Sequence, residues 1–246
     1  MEILGLIPAR GGSRGLPRKH LALLAGRPLI EYTLVAARAS RRLGRTIIST
    51  DEPEIASHAR QFGVASPFLR PAQLATDDAP ILPVIRHALE WLAAFEKYEP
   101  DAIALLQPTS PLRRSDHIDG AIELLEHSGA DTVVSVIEVP HNMVPEALMI
   151  EHNGWLQPLI PGLPPLRRQD KSQYLARNGP AVLITRAAFV SRCTHLYEGR
   201  VVGFRMSAID SVDIDTVADL ALAERLLVTQ GNNDARSHTS SSSTER

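Results

Sequence analysis

Cysteine is nearly absent. Cys193 stands alone in 246 residues, so no intrachain disulfide framework can form, and the usage suits a reducing cytosol. A large charge of either sign is also missing. A formal charge of −2 argues against bulk nucleic-acid binding and makes any basic cluster a local feature. No uncharged stretch approaches the roughly 20 residues of a membrane helix. The opening Met1-Glu2-Ile3 has no basic region, and its apolar run is too short for a signal peptide. The expected location is therefore cytoplasmic. The nine histidines include no His-Glu-x-x-His, and no cysteine cluster marks zinc. Ser13, Ser49 and Ser110 lack the nucleophile-elbow pattern. There is no internal repeat.

What is present is an alternation of short apolar runs with longer helical patterns, the mark of an α/β fold with a mostly parallel sheet. The length allows one good core and a single domain over residues 1–230. The stretch Ile7-Pro-Ala-Arg-Gly-Gly-Ser-Arg-Gly-Leu-Pro-Arg-Lys19 follows an apolar first strand. Gly11, Gly12 and Gly15 let the backbone approach a ligand, and Arg10, Arg14, Arg18 and Lys19 put four cations in one loop. Bare N–H groups and cations suit a polyphosphate; a glycine turn on a solvated basic surface is the alternative. The loop lacks both the Gly-Lys-Ser/Thr ending of a P-loop and the spacing of a dinucleotide fingerprint.

Further along, the pattern predicts a helix after Pro28, a strand over 46–50 and a helix to Gln61 capped by Asp51. It predicts a strand over 64–69, a helix over 81–95, a buried central strand over 102–106, a helix from Ser115 and a strand within 130–139. Between residues 140 and 177 the rhythm stops. His152-Asn153-Gly154 is a hairpin turn signal, and the segment reads as an added arm, with Trp155 in its packing. Strands resume over 181–185 and 201–204. A final helix over 216–230 is expected to stop at Gly231, leaving residues 231–246 as a disordered polar tail.

In such a sheet, ligands bind beyond the carboxyl ends of the strands. The glycine loop, Gln107-Pro-Thr-Ser-Pro-Leu-Arg113 and Asp213-Ile-Asp215 fall there. In a strand, Asp213 and Asp215 share a face, roughly 6.5 to 7 Å apart. They read either as Mg²⁺ ligands that share the ion with substrate phosphates or as a helix cap and a surface acid.

These residues resemble the acylneuraminate cytidylyltransferases, the CMP-sialic acid synthetases. The resemblance runs collinearly from residue 2 to 229. It takes in residues 9–19, Ser49-Thr-Asp51, Leu69-Arg-Pro71, Leu106-Gln-Pro-Thr-Ser-Pro-Leu-Arg113, Val133-Val-Ser-Val136, Arg167-Arg-Gln-Asp170, Asn178-Gly179 and Ser211-Val-Asp-Ile-Asp-Thr216. It implies a Rossmann-like nucleotidyltransferase domain and a homodimer with a small β-containing dimerisation arm. The implied reaction joins CTP to a 2-keto-3-deoxy acid sugar, giving the CMP-sugar and pyrophosphate. By the same resemblance, Arg10, Ser13 and Lys19 would hold the CTP phosphates, with Gly11, Gly12, His20 and Arg70 also in the nucleotide pocket. Gln107, Arg168 and Asn178 would meet the sugar or the leaving phosphates, and Asp213 and Asp215 would hold Mg²⁺. Arg10, Lys19, Asp213 and Asp215 are the expected catalytic set. The chain departs from the family pattern at His20, at Asp78-Ala-Pro-Ile81, at Asn178-Gly-Pro-Ala-Val182, and at Ala176, where the family carries Arg and this chain has Arg177 beside it. These changes lie on the substrate side. They leave open another ulosonic acid (pseudaminate, legionaminate or Kdo type) or a nucleotide-binding regulator without catalysis.

Overall fold

A computed structural model describes residues 1–13, 15–162, 167–170 and 172–240, with the backbone alone at 168 and 230–240. In chain order the elements are β1 (Ile3–Pro8), β2 (Leu23–Leu24), β3 (Arg27–Pro28), α1 (Leu29–Ala39), β4 (Arg45–Ser49), α2 (Pro53–Gln61), α3 (Ile81–Trp91), β5 (Ala102–Leu105) and α4 (Ser115–Ser128). They continue as β6 (Thr132–Glu138), β7 (Met149–His152), β8 (Trp155–Pro158), β9 (Leu175–Arg177), β10 (Leu183–Arg186), α5 (Ala187–Val190), β11 (Val201–Arg205) and α6 (Val217–Ser240).

One mixed sheet carries the architecture, with strand order β11-β6-β10-β5-β1-β4 and β9 beside β6. Strand β1 pairs in parallel with β4 and β5, and β6 with β11; β10 and β9 run antiparallel to β6. Helices cover both faces, so the central strands are apolar on both sides, as their continuous runs predict. Ile3, Ile7, Ile48, Ala104 and Ile184 pack under α1, α2 and α4 through Ile30, Leu34, Ile55, Ile118 and Ile122. Leu4, Leu6, Ile103, Leu105 and Leu183 face α3 and α5 through Ile85, Ala88, Phe189 and Val190. A smaller cluster of Leu24, Leu29, Ile214 and Ala223 fastens α6 onto the segment after the glycine loop.

Several expectations change. Residues 64–69 form no strand, only lone bridges from Ile47 to Ala65 and from Thr50 to Leu69; Pro67 has no N–H to continue a ladder. Glu52, not Asp51, caps α2, accepting from the Glu54 N–H. Residues 211–215 are loop rather than strand, although their alternation survives: Ile214 is buried, and Asp213 and Asp215 line a cleft on the other side. Helix α6 runs through Gly231 to Ser240 instead of stopping, because one glycine costs a helix only about 1 kcal/mol. The part of the expected tail at 241–246 lies outside the described residues.

The hairpin β7–β8 pairs with itself alone, through a turn in which Asn153 has φ 50°. Trp155 is 76% exposed, so it does not pack within the arm of one chain. Met149, Ile150, Leu156 and Leu159 are also exposed there.

The layered core sets a measurable stability. Ile122 is fully buried between α4 and the sheet. Ile122→Ala is expected to cost roughly 2–5 kcal/mol in urea unfolding. A loss under about 1 kcal/mol would show that this layer is not close-packed.

Candidate active site

The parallel strands β1, β4, β5, β6 and β11 all end at one edge of the sheet, and the chain crosses between its two faces beside β1. A cleft of about 260 Å³ opens there. Arg10, Gly12, Ser13, Lys19, His20, Arg70, Gln107, Asp213 and Asp215 all line it, together with Asp77, Ala79, Ile81, Pro108 and Thr109. Nine of the expected site residues, far apart in sequence, thus meet in one place.

The glycine loop is held at both ends. Gly11 N–H donates to Asp51 Oδ1 at 3.0 Å, so Asp51 tethers the loop rather than capping α2, and Gly11 serves the wall from behind. Lys19 Nζ donates to the Ile214 carbonyl (2.8 Å) and to Asp215 Oδ1 (2.8 Å). At Gly15 a Cβ would lie 2.4 Å from the Asp215 carbonyl oxygen, so this position requires glycine. Only part of the expected cation cluster reaches the cleft. Arg18 turns outward to an exposed pair with Glu54, and Arg14 lies outside the described residues.

Each cation in the cleft has a fixed partner. Arg10 Nη1 lies 2.5 Å from Asp77 Oδ1. Arg70 is buried, and its Nε donates to Ser49 Oγ at 3.0 Å; burial pulls its guanidinium down to about 10. His20 is buried with Nδ1 2.9 Å from the Arg10 carbonyl oxygen, to which it donates. Burial first, and then Lys19, Arg70 and Arg10, bring its pKa down to about 4, so it is neutral near pH 7. Asp213 moves the other way. Burial, reinforced by the Asp215 carboxylate, raises its pKa against the opposing pull of Thr109, of Lys19 and of the Ser110 hydroxyl 3.4 Å away. A half-buried carboxylate beside a second carboxylate is a place that a cation would relieve.

Asn178 departs from its expected role. It is 6% exposed and lines no cavity. Its Oδ1 accepts from Ser135 Oγ (2.5 Å) and the Ala181 N–H (3.3 Å), and its Nδ2 donates to Ser211 Oγ (2.6 Å). With its amide oxygen and nitrogen both hydrogen-bonded, it fastens β6, the turn before β10 and the segment leading to Asp213. The side chain of Arg168 lies outside the described residues.

Arg113 is a residue whose role the sequence does not announce. It is 2% exposed and donates to the Gln107 carbonyl (2.9 Å) and the Ala181 carbonyl (2.8 Å). It therefore ties the Gln107 turn to the turn after Asn178. Burial without a carboxylate partner pulls it down to about 9. The available signal was an arginine inside the otherwise apolar run Pro111-Leu112-Arg113.

A second cavity, about 650 Å³, adjoins the first and shares Ile81 and Gln107 with it. Its other walls are Pro80, Leu82, Leu105, Arg177, Gly179, Pro180, Leu183 and the turn 194–197. Two adjoining cavities at the carboxyl edge of an α/β sheet, one lined by a glycine loop with cations, define a nucleotide-dependent enzyme of two substrates.

The cytidylyltransferase family model matches residues 4–237, and the chain belongs to this family. It is 35% identical over 237 residues to the CMP-N,N'-diacetyllegionaminic acid synthase of Legionella pneumophila, covering 92% of this chain and 97% of that protein. It is 30% identical to the N-acylneuraminate cytidylyltransferase of Escherichia coli and 33% identical to N-acylneuraminate cytidylyltransferase A of Danio rerio. Those matches cover 90% and 94% of this chain but 51% and 52% of the relatives, so the chain spans about half their length. In fold it resembles CMP:2-keto-3-deoxy-manno-octonic acid synthetase complexed with CTP, with a TM-score of 0.67 at 17% identity over 94% of this chain and 100% of that one. The 4-diphosphocytidyl-2C-methyl-D-erythritol synthase of Anaerococcus prevotii follows at 0.63 and 13%, over 92% of this chain and 98% of that one. The chain is thus a nucleotidyltransferase on an α/β nucleotidyltransferase fold.

The buried imidazole gives a pH prediction. The unfolded chain takes up the His20 proton near pH 6.5, whereas the native state resists to about 4. Native stability therefore falls as the pH drops through that interval, by an amount on the order of 3 kcal/mol once both states are protonated. His20→Asn should flatten this part of the slope in urea unfolding measured at several pH values. Parallel curves for the two proteins would show that His20 titrates normally.

Proposed function

We propose that the chain transfers the cytidylyl group of CTP to a 2-keto-3-deoxy acid sugar, giving the CMP-sugar and pyrophosphate. The observation that carries this reading is the adjacency of the two cavities through Gln107 and Ile81: a cleft that gathers Arg10, Lys19 and Arg70 for the triphosphate opens onto a roomier cavity for the acceptor. The names of the relatives, which make CMP-legionaminate and CMP-sialate, support the acid-sugar class. The choice of cytosine rests on the family, since the loop alone would suit any nucleoside triphosphate.

The sugar hydroxyl attacks the α-phosphorus, the bond to the bridging oxygen breaks, and pyrophosphate leaves. Such a transfer needs positioning and charge neutralisation more than covalent help. Arg10 and Lys19 bind the phosphates and stabilise the charge on the departing pyrophosphate, with Ser13 and the Gly12 backbone beside them. Arg70, pinned by Ser49, stays cationic in the nucleotide wall. Gln107 spans both cavities and orients the acceptor, and Arg113 fixes its backbone. No side chain in the cleft is required as the general base.

The donor set fits Mg²⁺. Asp213 and Asp215 supply two hard oxygen ligands where triphosphate oxygens would complete the shell, and the Asp213 carboxyl stays raised even with Lys19 nearby. Bound there, the ion would polarise the α-phosphate and lower the pKa of the acceptor hydroxyl. The exposed apolar hairpin with Trp155 and Leu156 supports a homodimer joined through the arm. A cytoplasmic location agrees with the single buried thiol. No helix among the described residues is long and apolar enough to cross a membrane.

Pyrophosphate release measured with four nucleoside triphosphates and a panel of acid sugars tests the reading. CTP should dominate, and turnover with ATP equal to that with CTP would overturn it. Asp213→Asn should lower the rate on the order of 10²- to 10³-fold while melting near wild type. A folded variant with normal turnover and unchanged Mg²⁺ dependence would remove the metal assignment. Light scattering should give the mass of a dimer, and a monomer at all concentrations would exclude the arm as an interface.

A further inference from the structure

Among the described residues, the walls of the second cavity contain no aspartate or glutamate, and Arg177 is their one arginine or lysine. Arg177 ends β9, where it pairs with Val136 and shares its sheet face. That is the α3 and α5 side, where the cavity opens; Ala176 faces the other way. The guanidinium carbon lies 4.2 Å from the centroid of the Tyr197 ring, within cation–π range. A guanidinium stacked on a ring keeps its N–H edge available, and that edge matches a carboxylate in two parallel hydrogen bonds.

The platform under Arg177 is itself braced. Glu198 accepts from the Thr194 hydroxyl (2.5 Å), the Thr194 N–H (2.7 Å) and the His195 N–H (3.3 Å). The Tyr197 N–H donates to His195 Nδ1 at 3.3 Å. Glu198 thus serves the turn and is not itself a residue of the cavity lining. On the opposite side, Gly179 has φ 110°, and a Cβ there would sit 3.2 Å from Asp213 Cγ, so the turn after Arg177 packs directly against that carboxylate. The result is a planar cation held flat in a cavity of sugar size, with no acid among the described lining residues, joined to the nucleotide cleft through Gln107.

We propose that Arg177, stacked on Tyr197, binds the carboxylate of the acceptor and so selects acid sugars over neutral ones. This rests on the proposed function, because it presumes that the second cavity receives the acceptor. The triphosphate could supply an anion of similar chemistry, and the two sources separate kinetically. A cation that meets the acceptor alone changes the Michaelis constant for the sugar and leaves the one for CTP in place.

The test uses the full chain with N-acetylneuraminate, N,N'-diacetyllegionaminate and 2-keto-3-deoxy-manno-octonate. Pyrophosphate release and acid-sugar binding by calorimetry are measured for wild type, Arg177→Met, Arg177→Lys and Tyr197→Leu. Arg177→Met should raise KM for the acid sugar at least tenfold, with KM for CTP within twofold. Arg177→Lys should recover part of that loss, and Tyr197→Leu should show a smaller rise in the same constant. Arg177 is exposed, so its variants should melt as wild type does. A rise in KM for CTP instead would assign Arg177 to the phosphates, and no change in either constant would overturn the proposal. Wild type that binds an acid sugar without turnover, with binding lost in Arg177→Met, would refute the function and keep this assignment. Turnover that ignores Arg177 would do the reverse.

Discussion

The contact between Lys19 and the segment Ile214–Asp215 is the constraint on which the site depends. A lysine near the start of the chain donates to a backbone carbonyl and a carboxylate near its end, and Gly15 permits the two segments to touch. Ile214, between the two acids, is buried with Leu24 and Leu29 under Ala223 of α6. The apolar side of this short segment anchors it, and the polar side presents Asp213 and Asp215 to the cleft. Burial energy from the third hydrophobic cluster is thereby converted into the placement of two carboxylates opposite a glycine loop.

The electrostatics follow from that closure. Arg10 and Lys19 each face an acid across the cleft, so the ligand-free pocket is balanced rather than strongly positive. A triphosphate therefore exchanges with existing partners instead of meeting bare cations. Lys19 is the more constrained of the two, since its side chain is 11% exposed and also reaches a carbonyl, whereas Asp215 is 74% exposed. Arg70 and Arg113 act differently. Both are buried, hydrogen-bonded to neutral groups, and fix the walls behind the ligand.

The second cavity is shaped by an interruption in the sheet. Strands β9 and β10 lie along the same edge of β6, pairing to Val136 and Val134, with five residues of β9–β10 chain opposite Ser135. Asn178 plugs that interruption through Ser135 and Ser211, while Gly179 and Pro180 swing out to wall the cavity. Three departures of this chain from the family pattern, at Ala176, Arg177 and Pro180, lie on this stretch, while His20 and Ala79 line the first cleft.

Much was legible in the sequence, because periodicity and turn chemistry are local. The alternation of buried strands and helices, the hairpin at Asn153, the start of α4 at Ser115 and the glycine loop all follow from residues close in the chain. The placement of Gln107, Asp213 and Arg10 at one edge followed from the rule that parallel strands end together. What only the tertiary structure decided were partners distant in sequence. Asp51 looked like a cap and became the tether of Gly11, forty residues away, because an acid has no preference between two N–H groups until the chain brings one closer. Asn178 is a buried clamp, because the fold brings Ser135 and Ser211, far from it in sequence, to its amide. Arg177 gained significance only when the turn at Tyr197 folded beneath it, since a stacked cation is a relation between two side chains and neither residue encodes it alone.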